Sequence, residues 1–335
     1  MMIGKQTWLF EQPPTILATG TVGGPFEKQG NIRTDFDHFY DDQWVEEKSF
    51  ELAQQHMMED ACRYALKKAQ LTSSDMQFLL QGDLINQLTP SNFAASNLAI
   101  PYLGVFSACA TSMEGLALSA LIVSQMKANY VITGASSHNS AAERQFRYPT
   151  EYGSQKPDTA QWTVTGAGAA IIASTGKGPK VTSATIGKVV DPELKDPFNM
   201  GGAMAPAAFD TIKQHLEDRQ ISADYYDYII TGDLAKIGRE RCMDLLNQNQ
   251  TGVTEQQFVD GGLTIYKADQ PTFSGASGPA CSAIVTYGHF YHKLLKGDCQ
   301  RILVVATGAL LSPLSVQQKQ TIPCIAHAVS IENME

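Results

Sequence analysis

The stretch FLLQGDL at Phe78–Leu84 returns as YIITGDL at Tyr228–Leu234. Both are apolar runs of strand length that break at Gly-Asp, and the segments after each keep one order. Phe106-Ser107-Ala108-Cys109 opens a long apolar segment of helical character ending near Met126, and Phe273-Ser274-Gly275-Ala276 opens another ending near Leu295. Each leads to an apolar run that closes on Thr-Gly-Ala, YVITGA at Tyr130–Ala135 and ILVVATGA at Ile302–Ala309. One short match arises by chance, but three in the same order mark a duplication.

Strand runs alternating with helical patterns predict an α/β chain. Runs such as Tyr130–Thr133 are apolar without alternation, as in sheets covered on both faces. Two related α/β halves, each with a buried helix behind an elbow, resemble the thiolase and ketoacyl-synthase fold. That resemblance implies a thiolase-like fold, two duplicated α/β halves forming a five-layered α-β-α-β-α body. The turn-rich segment Lys177–Lys180 divides the chain into residues 1–177, which carry the Cys109 elbow, and 178–335. Gly166–Ser174, GAGAAIIAS, resembles the Gly-rich strand that closes the first half in that family.

In VFSACATSMEGLALSALIV, Val105–Val123, small residues join a strand-like start to an apolar helix. A thiol at a helix N-terminus meets unpaired N–H groups, which stabilise an anion and lower a cysteine pKa. Cys109 alone also fits a buried small residue. Its repeat counterpart is Ala276, so the first half has kept something specific. The nucleophile of thiolases and ketoacyl synthases occupies a similar place.

Condensation also needs groups that move a proton and polarise a carbonyl. The family resemblance puts these in the second half, one after the strand matching Tyr228–Ile230 and one in a Gly-rich loop. Here the first position reads Thr231-Gly232-Asp233. The loop reads PTFSGASGPA, Pro271–Ala280, with Thr272 where a histidine is expected. Of the seven histidines, His138 is the nearest local base, and His327 precedes a strand-like run. His289 and His292 share a helix face at i, i+3, with no third metal ligand evident, which favours an ordinary helix surface. The expectation is therefore no catalytic residue, no metal site and no enzyme.

The bulk numbers agree with a globular chain. It has 335 residues, 43% of them hydrophobic, and a net charge of -9, which excludes a broad basic face for nucleic acid. The six cysteines form no C-x-x-C pair, as expected of free thiols in a reducing compartment. Met1–Pro14 has no apolar signal core, and windows such as Ile302–Leu314 are too short to span a bilayer. An intracellular protein that crosses no membrane by itself is expected. The acidic run Asp35–Glu47 lacks an EF-hand's glycine and closing glutamate, and Gly20–Gly24 does not fit a dinucleotide fingerprint.

The segments FLLQGDLINQLTPSNFA, GVFSACATSMEGLALSA, TGASSHNSAAERQFRYPTEYGSQKPDTAQWTVTGAGAA and KVVDPELKDPFNMGGAMAPAA closely resemble the stage V sporulation protein AD family of spore-forming bacteria. The resemblance spans the chain. It implies non-catalytic binding of dipicolinic acid (pyridine-2,6-dicarboxylate) and service in its uptake into the spore. It also implies work with membrane-embedded sporulation proteins of the same operon, peripheral to the spore inner membrane, and a homodimer paired through Tyr130–Thr133. Asp83 ends a strand, Cys109 sits at the elbow and Ser136 follows a strand, so all three are expected at one first-half rim. His138 and Arg144 join them as ligand-binding candidates, with Arg144 and Arg147 as a carboxylate clamp. Calcium, held by Asp83 and the ligand together, would offset their like charges. An acyltransferase using Cys109 with His138 is the rival reading, and a scaffold without ligand the third.

Overall fold

The computed structural model describes residues 1–147 and 156–334, with Arg147 described by its backbone alone. The first half supplies strands β1 (Thr15–Gly23), β2 (Phe78–Gly82), β3 (Tyr102–Gly104), β4 (Tyr130–Ser137) and β5 (Gly166–Ala173). The second supplies β6 (Lys180–Thr185), β7 (Tyr228–Thr231), β8 (Phe258–Asp260), β9 (Arg301–Ala309) and β10 (Cys324–Glu332). Their spatial order is β8-β7-β9-β10-β6-β1-β5-β4-β2-β3. Read outward from the β6–β1 junction, each half runs through its fifth, fourth, second and third strands in the same sequence. The duplication read from FLLQGDL and YIITGDL is thus a duplication of topology.

The halves meet through their central helices. The elbow helix α3 (Thr111–Met126) and the helix opening at Pro279–Ile284 pack together, and their buried side chains form one cluster with Leu80, Val131, Ile230 and Val304. Ser112 and Ser282 hydrogen-bond across this layer at 2.6 Å. Helices α1 (Phe50–Ala69) and α2 (Thr89–Leu98) cover the outer face of the first sheet, and α5 (Met200–Arg219) and α6 (Ala235–Gln248) that of the second. A shorter helix, α4 (Asn139–Arg147), follows β4. This is the expected five-layered order.

Boundaries shift in informative ways. The elbow helix begins at Thr111, two residues beyond Cys109, and the strand before it is Tyr102–Gly104 rather than Val105-Phe106. The second central helix begins at Pro279, where the ring's fixed φ suits the first turn. It continues through a π-helical stretch, Val285–Phe290, into Tyr291–Lys296. His327 lies inside β10 rather than ahead of it. The chain's start also crosses over, because Thr7–Leu9 pairs with β6 of the second half.

Two expectations are corrected. β4 is no free edge, because β2 and β5 pair with its two sides. The first sheet ends instead at β3, whose Leu103 is exposed, with Phe93 and Phe106 exposed nearby in sequence. His289 and His292 do have a common partner: Asp35 accepts from the first at 2.7 Å and the second at 3.2 Å. Among the described residues no group of three side chains has metal-holding geometry.

Candidate ligand-binding site

The elbow is a tight, self-bonded turn. Ala108 takes a left-handed φ of 50° immediately before Cys109. The Ser107 N–H donates to Thr111 Oγ1 at 3.0 Å, that hydroxyl donates to the Ala108 carbonyl at 2.7 Å, and the Ala110 N–H donates to the Ser107 carbonyl at 2.9 Å. Gly308 of β9 lies directly beneath, where a Cβ would fall 2.2 Å from the Ser107 carbonyl oxygen. His327 braces the same turn: its Nδ1 accepts from the Gly187 N–H and its Nε2–H donates to Ser107 Oγ at 3.1 Å. Burial lowers this imidazole to about 4, so it is neutral at pH 7.

Around the thiol stand side chains of the second half. Cys109 Sγ lies 4.0 Å from Ser277 Oγ. Ser277 Oγ donates to Asp233 at 3.3 Å, Thr307 Oγ1 donates to the same carboxyl at 2.8 Å, and the Gly278 N–H donates at 2.9 Å. Burial, offset in part by these donors, raises Asp233 to about 7. Burial first, and Asp233 second, push the Cys109 thiol well above its ordinary value. The expected helix-terminus activation is therefore overturned. The thiol sits ahead of the helix, buried and beside an acid, and both push its pKa up rather than down.

A cavity of about 260 Å³ opens over Cys109 and Ser277. Its walls are mainly apolar, with Phe106, Phe146, Phe198 and Leu311 among them, and its charged side chains among the described residues are Glu143 and Lys156. It shares Phe106, Phe146 and Leu311 with a wider groove of about 830 Å³ that also carries Glu51 and Arg144.

The expected first-half rim does not form. Asp83 is fully buried, and its carboxylate accepts from the Ile85 N–H at 2.7 Å, the Ser91 N–H at 3.0 Å and Ser91 Oγ at 2.5 Å. It holds the start of α2 and is not among the residues that line the cavity. Ser136 is also fully buried and turned toward α1, where Gln54 Nε2 donates to its Oγ at 3.2 Å. Side chains alternate along a strand, so the neighbour Ser137 is the one turned inward, beside Gly278. His138 has both ring nitrogens engaged: Nε2–H donates to the Gln43 carbonyl, and Nδ1 accepts from the Ser140 N–H. Burial lowers its pKa as well, so it is a buried cap of α4 rather than a free base. Arg144 is half exposed and pairs with Glu51 at 3.5 Å in the outer groove. The side chain of Arg147 lies outside the described residues. Of the five candidates, the cavity takes Cys109.

Sequence reasoning missed Asp233, Ser277 and Lys156. The repeat aligned Asp233 with Asp83 but gave no sign of which one caps a helix. In the second half Asp260 does that work, accepting from the Leu234 and Ala235 N–H groups at 2.9 Å each. Asp233 is left to face the thiol.

A model of the stage V sporulation protein AD family matches residues 4–332. Stage V sporulation protein AD of Bacillus subtilis strain 168 is 51% identical over 331 residues, covering 99% of this chain and 98% of that protein. Among solved structures, a cerulenin-bound variant of Xanthomonas campestris OleA is similar with a TM-score of 0.61 and 13% identity, covering 97% of each chain. The 3-oxoacyl-[acyl-carrier-protein] synthase III of Aquifex aeolicus VF5 is similar with a TM-score of 0.58 and 12% identity, covering 95% of this chain and 99% of that one. At such identities the likeness concerns the fold, which is thiolase-like. Among the described residues no helix is long and apolar enough to cross a membrane.

Proposed function

The chain belongs to the stage V sporulation protein AD family, and from that premise we propose that it binds dipicolinic acid without turning it over, as the membrane-peripheral component of a spore transport assembly. One observation carries the reading: a cavity of single-ring size opens over Cys109 and Ser277, and no histidine stands in its wall among the described residues. An apolar cavity of about 150 Å³ accepts benzene. The space over Cys109, about 260 Å³, has room for an aromatic ring and two carboxyl groups. Cys109 and Ser277 line this cavity, and the Ser277 hydroxyl, which donates to Asp233 at rest, would turn to donate to a carboxylate oxygen of the ligand. The places where condensing relatives are expected to carry proton-transfer groups hold Asp233 and a serine–glycine loop.

The test is calorimetric titration with dipicolinate, with and without calcium. Cys109→Ala and Ser277→Ala should each weaken binding by about ten- to a hundredfold, the worth of a polar contact to a desolvated carboxylate. Binding should also weaken as pH rises through about 7, where Asp233 ionises behind Ser277 and adds a negative charge. Wild-type protein without affinity would overturn the reading. Ketoacyl product from acyl- and malonyl-coenzyme A, lost in Cys109→Ser, would put acyl transfer in its place.

Two partners complete the proposal. A second copy pairs along the open edge of β3, covering Leu103 and the exposed ring of Phe93, as sheet edges otherwise invite wrong pairing. Sedimentation should give a dimer, and a monomer at every concentration would overturn this. Membrane-embedded sporulation proteins supply the path through the bilayer.

A further inference from the structure

Lys156 lines the Cys109 cavity with an ammonium that is largely buried. Its Nζ lies 5.6 Å from the centre of the Trp162 ring and 5.8 Å from that of Phe273. Glu143, also on the cavity wall, holds it at 2.5 Å. A buried ammonium needs a partner, because the apolar wall returns none of the hydration it gives up. Glu143 is that partner here. The two rings stand within cation–π reach of the same ammonium, which still lines the cavity.

We propose that Lys156 makes the Cys109 cavity anion-selective: it takes a carboxylate of the bound ligand, and Glu143 is the resting partner that this carboxylate displaces. That the carboxylate is one of dipicolinate's two rests on the function proposed above. Lys156 and Glu143 are the charged side chains of the cavity among the described residues, and Arg144 stands in the outer groove, paired with Glu51. A carboxylate that reached Cys109 with no cation beside it would stay desolvated and uncompensated. Lysine suits the role because its point charge on a flexible stem can move from one carboxylate to another.

The inference is testable without any assumption about the natural ligand. Iodoacetate and iodoacetamide alkylate a thiolate through the same displacement of iodide and differ in charge. The ratio of their rates at Cys109, followed by mass spectrometry at pH 9, reports the field in the cavity and cancels the thiolate fraction common to both. In Lys156→Gln the ratio should fall by roughly tenfold, in Lys156→Arg it should hold, and in Glu143→Gln it should rise. Dipicolinate affinity should move in the same directions in the three variants. An unchanged ratio in Lys156→Gln overturns the inference, as does dipicolinate affinity that is unchanged in Lys156→Gln when the wild-type protein binds it. A ratio that falls while wild-type protein ignores dipicolinate keeps the anion selectivity and sinks the dipicolinate reading instead. If Lys156→Gln fails to fold, the rise in Glu143→Gln decides, and no rise there overturns the inference.

Discussion

Gly308→Val should empty the cavity of ligand and cost the protein about 4 kcal/mol or more. The position is a strand interior, where valine is ordinarily welcome. Here a Cβ would stand 2.2 Å from the Ser107 carbonyl oxygen, 3.1 Å from the Ala110 nitrogen and 3.3 Å from the Cys109 nitrogen. All three are backbone atoms of the elbow, so no rotamer change relieves the clash. Either β9 or the turn must move, and the turn already holds Ala108 at a left-handed φ. Movement of the turn carries Cys109 away from Ser277 and breaks the His327–Ser107 bond. Chemical denaturation should show a lower midpoint, and dipicolinate titration should show at least a hundredfold loss, roughly 3 kcal/mol of binding free energy. Near-wild-type affinity would mean that the elbow does not shape the ligand site.

Asp83→Ala should destabilise the protein by about 3 kcal/mol at pH 5, through lost bonds rather than lost ligand. The carboxyl satisfies two backbone N–H groups and one hydroxyl at a buried helix start, and alanine leaves all three unpaired. Asp83→Asn keeps the acceptor oxygen and should recover much of the loss. The pH dependence has a definite sign. Burial raises the folded pKa from 3.8 to about 6. A raised acid binds its proton more tightly folded than unfolded, so its contribution is full below 3.8 and declines as pH rises through about 6. The gap between wild type and Asp83→Ala, read from urea midpoints, should therefore narrow from pH 5 to pH 8. A gap that widens over that range would mean that the ionised form is the better-held one. Dipicolinate affinity of the folded Asp83→Ala protein should change little beside that of Cys109→Ala.

The fold was legible because duplication leaves its mark in order, not in identity. Only GDL is shared letter for letter between the two strand ends at Leu84 and Leu234, yet both runs became the same strand of the same sheet. The elbow cysteine was legible too, as a thiol where the other copy has alanine. The rest of the pocket was not, for two physical reasons. Side-chain direction at a strand end depends on which groups nearby still lack partners: Ser91 drew Asp83 outward, while Asp260 satisfied α6 and left Asp233 to Cys109. Strand parity also separates neighbours: Ser136 and Ser137 are adjacent in sequence and face opposite layers. The charge at Cys109 failed for a related reason. A helix terminus stabilises an anion when the anion lies on its axis, and the first turn here starts two residues later. Lys156 could be found only from the closed shape of the wall, because its cation is held by residues from both halves.

The shared layout of the halves also bears on how the protein is made. A ribosome that has released residues through Ala173 has delivered all five strands of the first sheet and the thiol. It has not delivered Asp233, Ser277 or the helix at Pro279, so the inner side of the elbow helix stays bare. The opening strand Thr7–Leu9 likewise waits for Ser183–Thr185, its partners across the sequence. The nascent chain therefore carries an unfinished apolar face through about a third of its synthesis, at rates of roughly 5–20 residues per second. For those seconds that face has no partner within the chain, and the pocket comes into being as nearly the last act of its synthesis.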